Sequence, residues 1–171
     1  SNNKRKIIIV ISDLASIHPE AKIAGNVTVE PFAVIEADVE IGESSIIYSH
    51  ACILSGSRLG KNCRVFQGAV IAGIPQDLKF EGEYSQVIIG DNTTIRECAT
   101  INRGTKAFGK TLLGRDCLIM ANVHIAHDCI LNDHVILVNN VALAGHVEIG
   151  DWTIIGGLSA VHQFVKVGPH V

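Results

Sequence analysis

The chain has 171 residues, of which 47% are hydrophobic and only 5% aromatic, and a formal net charge of −3. This length predicts one domain with a substantial core. The small negative charge gives no reason to expect a nucleic-acid partner, and no apolar run approaches the roughly 18–20 residues that would cross a bilayer.

The first eleven residues are interpreted as a lead-in segment. Four polar residues, Asn3-Lys4-Arg5-Lys6, precede the apolar run 7–11 in the manner of a signal peptide. That run is shorter than the roughly 7–15 residues such peptides use, and Asp13 follows it without a small-residue cleavage site. We therefore expect residues 1–11 to lead into a single β domain at residues 12–171.

From Ile17 onward, an aliphatic residue recurs at every sixth position. One phase is kept by Ile17, Ile23, Val29, Ile35, Ile41, Ile47, Ile53, Leu59, Val65, Ile71, Ile89, Ile95, Ile101, Leu113, Ile119, Ile125, Leu131, Leu137, Leu143, Ile149, Ile155, Val161 and Val167. Only Asp77, Glu83 and Ala107 break the series. Neither a helix nor a single strand has this period.

A chain that turns a corner every six residues, and completes a coil every eighteen, does have this period. It is typical of a parallel β-helix, and the series predicts about eight coils. A β-sandwich is the alternative, but its strands recur at irregular spacings. Gly, Asn and Asp follow several aliphatic positions, as in Leu59-Gly60-Lys61-Asn62, where corners need tight turns or positive φ.

Two segments interrupt the repeat and are expected to project from it as loops, at about residues 72–88 and 102–111. Loops on a rigid scaffold often carry binding residues. The chain stops in mid-repeat at Gly168-Pro169-His170-Val171, so we expect it to be incomplete at that end. The five cysteines contain no CxxC pair, which indicates a reducing, cytoplasmic compartment. Three of them, Cys63, Cys117 and Cys129, lie two residues before an aliphatic repeat position, as expected of small buried residues.

Four histidines gather in the second half of the chain: His124, His127, His146 and His162. At eighteen residues per coil, His127 and Gly145 occupy equivalent positions on adjacent coils. His146 is one residue further on, and His162 lies on the next coil, so we expect them to line one edge. Exposed imidazoles suit proton transfer near neutral pH. A metal centre and an accidental surface cluster are the alternatives.

Four motifs carry a resemblance to a known family: Gln76-Asp77-Leu78-Lys79-Phe80, His124-Ile125-Ala126-His127-Asp128-Cys129, Leu143-Ala144-Gly145-His146 and Ala160-Val161-His162-Gln163-Phe164. Together they resemble the UDP-N-acetylglucosamine O-acyltransferases, which perform the first step of lipid A synthesis in Gram-negative bacteria. The resemblance runs from about residue 12 to residue 171. The hexapeptide repeat alone is typical of a large superfamily, whereas this combination of motifs is far more specific.

The resemblance implies a left-handed β-helix that forms a homotrimer with active sites between neighbouring subunits. It implies transfer of a 3-hydroxyacyl group from acyl carrier protein to the 3-hydroxyl of UDP-N-acetylglucosamine. No metal and no dissociable cofactor is implied beyond the phosphopantetheine arm of the carrier. The family continues into a C-terminal helical domain that these residues lack, so we expect this chain to be a truncated form.

The resemblance also implies a role for each matching residue. His127 would be the general base, Asp128 would orient and stabilise it, and the Gly145 N–H would be the oxyanion donor. The substrate-binding residues would be Gln76, Asp77, Lys79, His124, His146, His162 and Gln163.

Two other functions stay open at this point. One is the related N-acyltransferase of the same pathway, which has an added N-terminal domain and is not expected to carry the Gln76-Asp77-Leu78-Lys79 motif. The other is a non-catalytic hexapeptide scaffold, in which the histidines are only surface residues.

Overall fold

Short parallel strands repeat along three faces of the molecule. The computed structural model describes residues 10–171, and residues 1–9 of the expected lead-in segment lie outside them. The first twelve strands are β1 (Ser16–Ile17), β2 (Lys22–Ile23), β3 (Thr28–Val29), β4 (Val34–Ile35), β5 (Val39–Ile41), β6 (Ile46–Ile47), β7 (Cys52–Ile53), β8 (Ser57–Leu59), β9 (Arg64–Val65), β10 (Val70–Gly73), β11 (Gln86–Ile89) and β12 (Thr94–Ile95). The remainder are β13 (Thr100–Asn102), β14 (Lys110–Leu113), β15 (Leu118–Ile119), β16 (His124–Ile125), β17 (Ile130–Leu131), β18 (Ile136–Leu137), β19 (Ala142–Leu143), β20 (Glu148–Ile149), β21 (Ile154–Ile155), β22 (Ala160–Val161) and β23 (Lys166–Val167).

Every third strand belongs to the same parallel sheet. The first face holds eight strands from β1 to β22, the second face eight from β2 to β23, and the third face seven from β3 to β21. Partners are one coil apart, as in the pairing of Ile17 with Ile35. The prediction of a parallel β-helix of about eight coils is therefore confirmed. Within residues 10–171, no helix is long and apolar enough to cross a membrane.

The aliphatic residues of the repeat form the core. Where strands stack, their inward side chains stack too, at roughly the 4.8 Å spacing of neighbouring strands. Along the first face, Ile53, Ile71, Ile101, Ile125 and Leu143 are all 0% exposed. Each such side chain contributes about 1.5–3 kcal/mol when fully buried, so the six-residue period alone accounts for a continuous hydrophobic interior.

The corners differ from the expectation that Gly, Asn and Asp would supply the positive φ. Among the described residues other than glycine, every one with positive φ except Ala72 lies three positions after an aliphatic repeat residue, including the bulky Phe32, Trp152 and Phe164. The coil imposes this backbone conformation whatever the side chain. Gly42 serves another purpose, because a Cβ there would lie 2.5 Å from the Gly60 carbonyl on the next coil.

Three cysteines lie in the core, as the sequence indicated. Burial raises the pKa of Cys63 and of Cys117 to about 11, and that of Cys129 to about 12. Since the thiolate is the reactive form, we predict that iodoacetamide at pH 8 modifies the exposed Cys98 well before these three thiols. Mass spectrometry of the native and urea-unfolded protein checks this prediction. Rapid native alkylation of Cys129 would contradict the buried placement.

Candidate active site

Both interruptions of the repeat project from the same edge of the β-helix. The first loop, residues 74–85, joins β10 to β11, and the second loop, residues 103–109, joins β13 to β14. Both connections therefore run from the first face to the second face. The corner of the next coil, between β16 and β17, contains His127 and Asp128. The loops and the histidines that the sequence singled out thus lie on one edge, in adjacent coils.

Backbone N–H groups of the second loop donate hydrogen bonds to the end of β10 and to the first loop. The Arg103 N–H donates to the Gly73 carbonyl at 3.0 Å, and the Lys106 N–H donates to the Glu83 carboxylate at 2.9 Å. Hydrogen bonds from backbone N–H groups lower the pKa of Glu83. The Arg103 guanidinium also lies 5.3 Å from the centre of the Phe80 ring. The first loop is therefore braced by the second rather than standing alone.

His127 and Asp128 form a buried pair. His127 Nδ1 lies 2.8 Å from Asp128 Oδ2, and the two residues are 8% and 3% exposed. Since an ionised carboxylate can only accept, the proton of this hydrogen bond belongs to Nδ1. Nε2 is then the acceptor nitrogen, and it lies 3.9 Å from Asp77 Oδ2 of the first loop. This arrangement is suited to removing a proton from a bound hydroxyl.

Asp128 is fixed by residues that the sequence analysis did not identify. Its Oδ1 accepts from the Thr105 N–H at 3.0 Å, and its Oδ2 accepts from Thr105 Oγ1 at 2.6 Å. The Asp128 N–H donates to Thr111 Oγ1 at 2.9 Å, while Asp128 itself has a φ of 59°. Thr105 comes from the second loop, which therefore orients the carboxylate beneath His127.

Gly145 lies directly against the His127 ring. A Cβ at position 145 would fall 2.6 Å from Cε1 and 2.7 Å from Nε2 of His127. Only glycine therefore allows this approach. Within residues 10–171, the Gly145 N–H donates no hydrogen bond, so it is available to a ligand next to the acceptor nitrogen of the imidazole.

A cavity of about 600 Å³ opens beside this pair. It is lined by Gln76, Asn102, His124, Ala126, His127, Ala142, Leu143, Ala144, Gly145, Ala160, Val161, His162 and Gln163. This volume is in the range of small-molecule sites. Two small side chains, Ala126 and Ala144, leave the space next to the histidines open.

Six of the ten sequence-predicted site residues line this cavity, and the other four, Asp77, Lys79, Asp128 and His146, do not. Asp77 is half-buried within reach of His127, whereas Lys79 is exposed and its N–H donates to Asp77 Oδ1 at 3.0 Å. His146 lies behind the pair: its Nε2 is 3.7 Å from Asp128 Oδ2, and its ring stacks on Phe164 with centroids 4.7 Å apart. The structure thus gives His146 contacts to the Asp128 carboxylate rather than to the cavity.

His124 is the half-buried imidazole of the cavity wall. Its Nδ1 lies 2.8 Å from Thr100 Oγ1 on the neighbouring strand. Burial lowers the pKa of His124, because a charged ring loses solvation there. His124 is therefore held as a neutral hydrogen-bonding group at pH 7.

His127, Asp128 and His146 also bring three metal-binding atoms within 4.8 Å of one another. Two imidazoles and a carboxylate suit zinc and related metals. However, Asp128 Oδ2 already accepts hydrogen bonds from Thr105 and His127, and a metal would have to displace both. The donor set therefore fits a hydrogen-bonded proton relay better than a metal centre.

Residues 110–145 match the family model described as bacterial transferase hexapeptide (six repeats). The chain is 46% identical over 160 residues to the acyl-[acyl-carrier-protein]–UDP-N-acetylglucosamine O-acyltransferase of Campylobacter concisus (strain 13826). That similarity covers 92% of this chain and 61% of the relative. The chain therefore spans only about three fifths of this curated relative.

Solved structures agree with this similarity. The UDP-N-acetylglucosamine acyltransferase of Francisella novicida superposes with a TM-score of 0.90 at 46% identity, over 92% of this chain and 58% of that one. The UDP-N-acetylglucosamine acyltransferase of Bacteroides fragilis 9343 superposes with a TM-score of 0.84 at 41% identity, over 95% of this chain and 70% of that one. The chain thus belongs to the UDP-N-acetylglucosamine O-acyltransferase family, and its described residues have the left-handed parallel β-helix fold of that family.

Proposed function

We propose that the protein transfers a 3-hydroxyacyl group from acyl carrier protein to the 3-hydroxyl of UDP-N-acetylglucosamine, the first step of lipid A synthesis. One observation carries the proposal: His127, which is hydrogen-bonded to Asp128, lines one cavity together with Gly145. The relatives that the chain matches are named acyl-[acyl-carrier-protein]–UDP-N-acetylglucosamine O-acyltransferases, which supports the proposal. The five free cysteines fit a cytoplasmic location, which is part of the proposal.

The reaction follows from the hydrogen-bonding roles of these groups. His127 Nε2 takes the proton of the sugar 3-hydroxyl as its oxygen attacks the thioester carbonyl carbon. The Gly145 N–H stabilises the oxyanion of the tetrahedral intermediate. When the carbon–sulfur bond breaks, the imidazolium returns the proton to the departing thiolate of the phosphopantetheine arm. The Asp128 carboxylate stabilises the transient positive charge, and no dissociable cofactor or metal is required.

The remaining site residues bind substrate in this proposal. Gln76 and His162 both line the cavity, where they can contact the substrates. Asp77 and Lys79, on the first loop, act at the cavity mouth. His124, His146 and Gln163 complete the set, with His146 acting through its contacts to Asp128 and Phe164.

A direct assay tests the function. The full-length gene product is supplied with UDP-N-acetylglucosamine and 3-hydroxyacyl carrier protein, and the nucleotide sugar and carrier are followed by mass spectrometry. We expect one 3-hydroxyacyl ester on the sugar for each carrier thiol released. Acylation of a sugar amine, or no acyl transfer at all, would overturn the proposal.

Two further measurements address the assembly and the metal alternative. We propose that the β-helix forms a homotrimer in which a neighbouring subunit completes the cavity. Sedimentation of the protein at micromolar concentration should therefore give three times the monomer mass, and a monomer alone would contradict this.

Metal analysis of the same sample should find less than stoichiometric zinc, because stoichiometric zinc would favour a metal centre at His127, Asp128 and His146.

Substitutions of Thr105 test whether its hydrogen bonds to the Asp128 carboxylate contribute to catalysis. Thr105→Val removes the 2.6 Å hydrogen bond to Asp128 Oδ2 and keeps the side-chain volume. Hydrogen bonds to charged groups are worth about 1.5–3 kcal/mol, so kcat should fall roughly 10- to 100-fold with KM little changed. Thr105→Ser, which keeps the hydroxyl, should restore most of the rate. Equal losses in both variants would show that Thr105 acts only through packing.

A further inference from the structure

Asn102 is a polar residue in a position where the neighbouring coils carry small apolar residues. It follows Ile101 at the end of β13, as Ala126 follows Ile125 and Ala144 follows Leu143. Ile101 and Ile125 pair directly across the first face. Asn102 is only 6% exposed, and packing alone does not explain a polar side chain at this position.

The amide oxygen of Asn102 has no hydrogen-bond partner within residues 10–171. A buried polar atom without a partner costs about 1–3 kcal/mol, and the great majority of such atoms in folded proteins have one. The unpaired amide oxygen therefore lowers the stability of the ligand-free fold. This is expected of a group that forms its hydrogen bond with a ligand.

The local backbone makes room for this amide. The pairing of β10 with β13 shifts register after Ile71, so that Gly73 rather than Ala72 lies opposite Asn102. A Cβ at position 73 would come within 3.2 Å of Asn102 Nδ2. Bulges of this kind often redirect a side chain beside an active site. Here the result is that Asn102 lines the same cavity as His127 and Gly145.

We infer that Asn102 Oδ1 is a substrate-positioning acceptor, which binds a neutral hydroxyl or amide N–H group of a substrate in the cavity. The inference rests on the proposed function, in which both substrates offer such donors. The nucleotide sugar carries ring hydroxyls and an acetamido N–H, and the acyl-pantetheine thioester carries amide N–H groups. Asn102 lies one coil from His127, on the side away from Gly145, so it would hold the substrate against the base from the opposite side.

The test measures binding of each substrate separately. Dissociation constants of UDP-N-acetylglucosamine and of a 3-hydroxyacyl-pantetheine thioester are determined calorimetrically for the full-length protein and for Asn102→Leu, which keeps similar volume without polar atoms. Asn102→Asp keeps an acceptor in the same space. Ser85→Ala is the matched control, because Ser85 Oγ is also buried and unpartnered but does not line the cavity.

We expect Asn102→Leu to weaken binding of one of the two ligands at least tenfold without lowering the melting temperature, since it removes an unsatisfied group. The ligand whose constant changes identifies the source of the donor. Asn102→Asp should bind more tightly than Asn102→Leu, and Ser85→Ala should bind as the parent does. Unchanged constants for both ligands, or equal weakening by Asp and Leu, would overturn the inference. Failure of the proposed function would instead appear as a lack of acyl transfer by the parent protein.

Discussion

His127→Ala should reduce acyl transfer by roughly 10²–10⁴-fold while the protein still folds, because a positioned general base contributes about that factor. The ring joins Asp128 to the open cavity through its 2.8 Å hydrogen bond. Its removal leaves Asp128 bound to Thr105, so the coil beneath should stay intact. Initial rates at saturating substrate, together with thermal unfolding curves, measure both effects.

His134→Ala is the matched control for this substitution. His134 lies at the corner between the second and third faces and stacks on Trp152, with ring centroids 3.9 Å apart. Its loss should leave the rate within about twofold of the parent. If His127→Ala kept full activity, the scaffold interpretation or another base would replace the present one.

Gly145→Ala should lower kcat by at least about 10²-fold with only a modest loss of stability. The new Cβ would lie 2.6 Å from His127 Cε1, so the ring must move, and small displacements of a catalytic group can cost that factor. The methyl group would also obstruct the adjacent N–H, which is proposed to stabilise the oxyanion. Overpacking of this kind costs about 1–3 kcal/mol in stability.

Gly25→Ala is the control for Gly145→Ala. It shows whether alanine is tolerated at a corner of the coil that lies away from His127. A Cβ at Gly25 meets nothing within 4 Å, so that variant should keep the parent's kcat and melting temperature. Unaltered kcat in Gly145→Ala would rule out both the close approach to His127 and the oxyanion role.

The six-residue period made the fold predictable, because one inward aliphatic side chain per strand is enough to specify it. The six-residue phase also survived both loops, so that Ile71, Ile101 and Ile125 could be assigned to the core from the sequence. That they share one column, at separations of 30 and 24 residues, is known only from the structure. For the same reason His127 and Gly145, eighteen residues apart, could be expected on adjacent coils. The corners were harder, because the coil imposes positive φ on residues such as Trp152 whose type does not favour it.

The second loop explains why Thr105 and Asn102 could not be found from the sequence. It lengthens one coil, so that Thr100 pairs with His124 at a separation of 24 rather than 18. Simple counting of coils therefore fails between residues 102 and 111, and the contact between Thr105 and Asp128 depends on how the loop turns back. His146 was placed on the correct edge, but its ring turns toward Asp128 and Phe164 rather than into the cavity.

A crystal structure of the full-length protein with UDP-N-acetylglucosamine tests the central claim most directly. We predict that the sugar occupies the cavity beside Gly145, with its 3-hydroxyl oxygen about 2.6–3.2 Å from His127 Nε2, the distance that proton transfer needs. A nucleotide sugar bound elsewhere, or one whose 3-hydroxyl points away from His127, would contradict the proposed chemistry.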